Sequence, residues 1–242
     1  MTFLRILILS LYLLTYQCVA SLTFNVQGKL YSFEQPVRLA TVLSVVNEKP
    51  GYWASSAVYQ LNDPSTEQLR ADILQTLSDL IRQQSKNSVS YRELSQLYQA
   101  IGSWQLMRRL DIDVDYDQAR LNHQRNPGFQ QGEYYIKLQP RRAVVNLFGL
   151  LTESDHQLKY DHASTVTDYL NDIERSTQAH RDYAFVIEPD GDLHKVGIAY
   201  WNRQYYQPMP NSIIFVPLQT SLLFDNIDEL NNKIAQLLKH RM

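Results

Sequence analysis

Between positions 109 and 117 polar and apolar residues alternate without a break. Arg109, Asp111, Asp113, Asp115 and Asp117 take the odd positions, and Leu110, Ile112, Val114 and Tyr116 the even ones. Period-two spacing predicts a strand that carries its carboxylates on one face beside a guanidinium. Such groups suit general acid–base catalysis, binding of a hard cation, or capture of an anion by arginine N–H donors. The cation reading fails on its own pattern: Tyr116 stands where a calcium loop needs glycine, and Asn122 where it needs the bidentate glutamate. A like-charged strand face that repels other edges accounts better for the acidic run.

Arg108, Arg109, Arg120, Arg141 and Arg142 are the material for an anion-binding patch, suited to acidic sugars or phosphates. For Arg108, Arg141 and Arg142 dispersal over the surface is the better reading. Tyr200-Trp201-Asn202-Arg203-Gln204-Tyr205-Tyr206 interleaves rings with amide and guanidinium donors. That mixture fits stacking and hydrogen bonding to sugars or to a protein groove, with Trp201 and Tyr205 as the platforms, and equally fits a hairpin strand with its rings in the core. Asp155-His156 and Asp161-His162 read as surface pairs in a polar loop. The chain holds no nucleophile elbow, phosphate loop, dinucleotide fingerprint or zinc-protease motif, so neither cofactor nor metal is expected.

These groups need elements to hold them. Leu22–Val26 and Lys29–Phe33 flank Gln27-Gly28 as a hairpin, and Val37 to Val46 reads as a short helix ended by Pro50-Gly51. Ser65 and Ser90, each with Gln or Glu three residues on, predict capping boxes that open two amphipathic helices joined by polar Gln83 to Ser88. Tyr134 to Leu138, Ala143 to Gly149, Tyr183 to Ile187, Leu193 to Tyr200 and Ile213 to Leu218 read as strands, with Pro189-Asp190-Gly191 as a turn and Ser164 to Arg175 as a helix. At the end Ile227, Leu230, Ile234, Leu237 and Leu238 form the apolar stripe of a helix capped by Asp225, with Lys239-His240-Arg241 in its last turn. Its polar face is too weakly basic for a membrane-surface helix, so docking on its own domain is expected.

The whole chain has 242 residues and a formal charge of −2, which leaves no excess of cation for nucleic acid. Residues 1–20 carry one basic residue, an apolar run shorter than a membrane span, and small side chains at Cys18 and Ala20. This reads as a cleavable secretory signal, with export to the periplasm of a Gram-negative cell and no membrane span afterwards. Gln17 and Tyr16 ahead of Cys18 argue against lipidation, and the mature chain then has no thiol chemistry.

Several segments together resemble the GfcC/YjbG family of periplasmic capsule- and exopolysaccharide-biosynthesis proteins. They are Gly132-Glu133-Tyr134-Tyr135, Pro140 to Gly149, Val166 to Leu170, Val186-Ile187-Glu188-Pro189-Asp190-Gly191, Ala199 to Asn202 and Asp228-Glu229-Leu230-Asn231. Weaker matches reach Tyr52-Trp53 and 109–120. The resemblance implies an α+β fold of two tandem β-grasp domains, like those of the polysaccharide exporter Wza, with a helical hairpin inserted in the first and an amphipathic helix at the end. The implied divisions are a signal at 1–20, a first domain at 21–139 with the insertion at about 65–102, a second at 140–224, and the helix at 225–242. It also implies a cleft arginine at Arg109, with Asp115, Asp117 and Arg120 in the same segment.

The leading expectation is a monomeric accessory protein, without catalysis, that binds polysaccharide or its export machinery. The alternatives are a polysaccharide-modifying enzyme using Asp115 or Asp117 beside Arg109, and a pure protein-docking module.

Overall fold

The structure is a computed structural model that describes residues 21–46, 52–152, 156–171, 173–219 and 226–242. The expected signal, Cys18, the Pro50-Gly51 break and the Asp225 cap lie outside the described residues. The fold is α+β, with two sheet-containing domains in tandem.

The first sheet begins with β1 (Leu22–Val26) and β2 (Lys29–Phe33), an antiparallel pair. Gln27 and Gly28 join them with φ of 50° and 91°, the two left-handed residues that let a two-residue turn follow the strand twist. Next come β3 (Val37–Arg38), α1 (Leu39–Val45) and β4 (Ala57–Gln60). After a long helical excursion β5 (Arg108–Arg109), α4 (Tyr116–Leu121), β6 (Gly128–Phe129) and β7 (Gly132–Lys137) complete the domain. The sheet order is β2-β1-β7-β4-β5, with β7 parallel to β1 and antiparallel to β4. Alternate β1 residues Leu22, Phe24 and Val26 turn inward onto Leu39 and Val42 of α1, and the Phe24 ring meets Phe129 edge-on at 5.0 Å.

The second sheet repeats the plan. It holds β8 (Val144–Gly149), β9 (His156–Lys159), α5 (Val166–Asn171), β10 (Tyr183–Ile187), β11 (Leu193–Gly197) and β12 (Ile213–Val216). Its order is β11-β10-β12-β8-β9, with β12 parallel to β8 and antiparallel to β10. In both sheets a hairpin is followed by a helix and two more strands, and the last strand returns to the centre beside the first, which is the β-grasp topology.

The excursion is α2 (Pro64–Arg82) and α3 (Val89–Gly102). It occupies the connection that in the second domain is only the turn between β10 and β11. By sequence it interrupts the first sheet, yet its buried Ile73, Leu77, Leu80, Leu94, Leu97 and Ile101 belong to the core of the second. The final helix, α6 (Ile227–Leu238), packs there too, burying Ile227, Leu230, Ile234, Leu237 and Leu238 as the stripe predicts. Each such fully buried side chain contributes about 1.5–3 kcal/mol relative to exposure. Among them the buried Asn231 amide closes a loop edge, accepting from Leu218 N at 3.0 Å and donating to Leu218 O at 2.8 Å.

The structure corrects several local expectations. The strand expected over 109–117 stops at Arg109, and Asp115 instead caps α4, its carboxylate accepting from Gln118 N at 3.0 Å. Leu110, Ile112 and Val114 do turn inward, so the alternation reports burial on one side, but among the described residues the strand pairing ends with Leu110 N on Val58 O and does not reach Ile112 or Val114. Asp63, not Ser65, caps α2, because Pro64 takes the first helical position where its missing N–H costs nothing. Ser88, not Ser90, caps α3, accepting from Tyr91 N at 3.0 Å. His156 begins strand β9 rather than lying in a loop. Residues 200–206 leave the hairpin as an irregular loop, and Lys239, His240 and Arg241 lie beyond the end of α6.

Candidate functional site

Arg109 is the residue on which both domains converge. It sits at the edge of the first sheet, paired with Tyr59 of β4, and Leu110 N donates to Val58 O at 2.9 Å just beyond it. Its neighbour Arg108 points away and pairs with the α2 cap, Nη1 to Asp63 Oδ2 at 2.8 Å. Hydrogen bonds from Ser65 and then Arg108 hold that carboxyl well below its usual range, at about 2.

On its other side β5 meets the chain that leaves α6. Arg109 N donates to His240 Nδ1 at 3.0 Å, Met107 N to His240 O at 3.0 Å, and Met242 N to Gln105 O at 3.0 Å. His240 therefore accepts through an unprotonated Nδ1. Burial, reinforced by the positive charges of Lys239, Arg108 and Arg109 and opposed by Asp63, pushes its pKa down to about 4. The Arg109 guanidinium crosses to the second domain, where Nη2 donates to Pro189 O at 2.6 Å in the β10–β11 turn.

The guanidinium lines a cleft of about 480 Å³ between the domains. Around it stand Lys137 at the end of β7, Arg142 in the linking segment, and Lys239 and Arg241 after α6. Burial, and then the charges of Arg109 and Arg142, push the Lys137 ammonium pKa down. The Tyr59 hydroxyl is pushed up by burial, against the lowering influence of Arg109. Asn211 ties the rim together, its Nδ2 donating to Ser55 Oγ at 2.7 Å in the first domain.

Glu188 is the one carboxylate side chain among the described residues lining the cleft, and it is buried. Oε1 accepts from Tyr206 OH at 2.8 Å, and Oε2 from Met209 N at 3.0 Å and from Ser212 Oγ. Burial and then Glu188 raise the Tyr206 pKa strongly, so the phenol stays a donor. With its oxygens engaged, Glu188 fastens the 206–212 segment to the β10 end. What the cleft offers chemically is a set of cationic and amide donors suited to oxyanions and hydroxyls. Among the described residues no group of three or more His, Cys, Asp or Glu side chains is placed to hold a metal ion.

Of Arg109, Asp115, Asp117, Arg120, Trp201 and Tyr205, Arg109 alone lines this cleft. Asp115 caps α4 and lines a separate depression of about 190 Å³ with Trp53, Asp113, Arg125 and Asp190. Asp117 and Arg120 are exposed on α4, 3.8 Å apart, with Arg120 over the Tyr116 ring. Trp201 and Tyr205 are 74% and 79% exposed on the loop after β11. Lys137, Glu188 and Asn211 escaped sequence reasoning. Glu188 lay within the Val186–Gly191 segment used for the resemblance, but nothing in one dimension brings Lys137 beside Arg109. Arg142, read as a dispersed surface residue, is exposed and also lines the cleft.

Residues 17–141 match the family model described as capsule biosynthesis GfcC, N-terminal, and residues 154–242 the one described as capsule biosynthesis GfcC C-terminal. The chain is also similar to an uncharacterized protein, YjbG, of Escherichia coli (strain K12), with 36% identity over 149 residues. That alignment spans 62% of this chain and 60% of the relative. With both of its domains matched in order, the chain belongs to the GfcC family of capsule-biosynthesis proteins.

Proposed function

We propose that this protein is a periplasmic accessory factor in the assembly or export of a capsule or exopolysaccharide, and that it binds glycan in the cleft at Arg109 without catalysing a reaction. The observation that carries the reading is the placement of Arg109, whose backbone is held by the first sheet and His240 and whose Nη2 reaches Pro189 O across the cleft. A guanidinium positioned from both domains is preorganised for a ligand that touches both. Family membership supports the pathway. Among the described residues no helix is long and apolar enough to cross a membrane.

The absence of catalysis is supported by the way the acids are used. Asp115 is spent on a helix cap, Asp117 lies with Arg120 on α4, and Glu188 is enclosed by three donors. None is set beside Arg109 to move a proton in a substrate. Export machinery as the direct partner is the second occupant to be tested. The test is surface and periplasmic polysaccharide in a strain lacking the gene, complemented with wild type or with Arg109→Ala shown to be folded and exported. Loss of surface polysaccharide that the wild type restores and the variant does not supports the reading. Polysaccharide unchanged in amount, length and location in the deletion strain overturns it.

A further inference from the structure

Resting on that reading, we infer that the cleft selects for negative charge, taking an acidic glycan segment whose carboxylate or phosphate is held by Lys137 and Arg142 together with Arg109. The lining carries five basic side chains, Arg109, Lys137, Arg142, Lys239 and Arg241, against one carboxylate side chain, that of Glu188, among the described residues. That carboxylate is turned to Tyr206, Met209 and Ser212 and makes no ion pair with these cations. The acidic residues of the 111–117 segment do not line this space, and Asp113 is engaged by Arg125 at 3.1 Å. The Lys137 ammonium is half-buried and has no carboxylate partner among the described residues.

A partly dehydrated cation beside two guanidinium groups is unfavourable alone and is relieved by an oxyanion that reaches all three. Burial first, and then the charges of Arg109 and Arg142, push the Lys137 pKa down, as this arrangement requires. A neutral sugar hydroxyl would leave the charge uncompensated.

Titration calorimetry of the purified protein, expressed as the full chain, against three probes tests the inference: oligogalacturonate for carboxylates, glucose 6-phosphate for phosphate, and a malto-oligosaccharide as the neutral sugar. At least one anionic probe is expected to bind at least tenfold more tightly than the malto-oligosaccharide, and which one does so distinguishes the two sources of charge. Lys137→Gln should weaken that binding about tenfold, as expected for loss of one charge-assisted hydrogen bond, whereas Lys137→Arg should keep it within about threefold. Arg142→Gln alters an exposed side chain, so its fold is secure, and it should weaken anion binding at least twofold. Anion binding unchanged in both Gln variants, or no binding of either anionic probe, overturns the inference. Malto-oligosaccharide binding that is lost in Arg109→Ala but unchanged in Lys137→Gln overturns the charge class alone and leaves the glycan-binding reading standing.

Discussion

Arg109 lies against the bare backbone of Gly191: a β-carbon on Gly191 would stand 2.8 Å from Arg109 Nε and 3.2 Å from its Cζ. Gly191 also has a φ of +102°, a conformation that side chains rarely adopt. The turn that accepts the guanidinium at Pro189 O therefore also needs a missing side chain to let it pass. Gly191→Ala should cost about 1–2 kcal/mol from backbone strain and crowding. It should also displace Arg109 and reproduce the polysaccharide defect of Arg109→Ala. Denaturation curves with complementation check both parts, and a stable Gly191→Ala variant with full complementation would contradict this packing.

Glu188 is predicted to be structural. Its replacement by alanine takes the acceptor from Tyr206 OH and Met209 N, while Ser212 Oγ keeps Met209 O at 2.6 Å, a loss of about 2 kcal/mol or more. Glu188→Gln retains an oxygen acceptor and should cost less than the alanine variant. Urea denaturation of the three proteins measures the order.

Stability should rise with pH through the titration of His240. Its folded pKa, about 4, lies below the ordinary 6.5, so the unfolded chain binds more protons between these values. The contribution is fully present above pH 6.5 and is lost as pH falls toward 4. From pH 7 to pH 5 the wild type should lose about 2 kcal/mol more than His240→Gln, which has no titrating ring. Equal losses in urea melts at the two pH values would show that His240 is not held neutral against Arg109 N.

The helical hairpin should couple the two domains, because it departs from the first sheet and packs in the second core. Leu77→Ala, at a fully buried position on α2, should cost about 3 kcal/mol. Native-state hydrogen exchange should then quicken at central strands of both sheets, at Ile136 of β7 and at Phe215 of β12. Acceleration confined to β12 would mean that the first domain holds independently.

The elements with strong local rules were legible from the residues. Gln27-Gly28 could only be a tight turn, and the stripe Ile227 to Leu238 could only be one face of a helix with a core to meet. The 109–117 segment misled because inward-facing Leu110, Ile112 and Val114 produce the same alternation whether or not a strand pairs with them, and Asp115 prefers to cap a helix. Arg109 came from family resemblance and stands in the cleft, whereas its partners Lys137, Glu188 and Asn211 come from distant parts of the chain. Their meeting depends on how the β10–β11 turn faces β5, which no local pattern records. Trp201 and Tyr205 carry a composition suited to sugars but sit on an exposed loop, so composition alone did not lead to the cleft.

The most direct measurement is an NMR titration of the isotope-labelled protein with oligosaccharides cut from the host's own surface polysaccharide. Shifts that concentrate at Arg109, Lys137, Gly191 and Asn211, and vanish in a folded Arg109→Ala variant, are the predicted result. Shifts confined to the Tyr200–Tyr205 loop or to α4, or no shifts at saturating oligosaccharide, would contradict the assignment of the cleft as the glycan site.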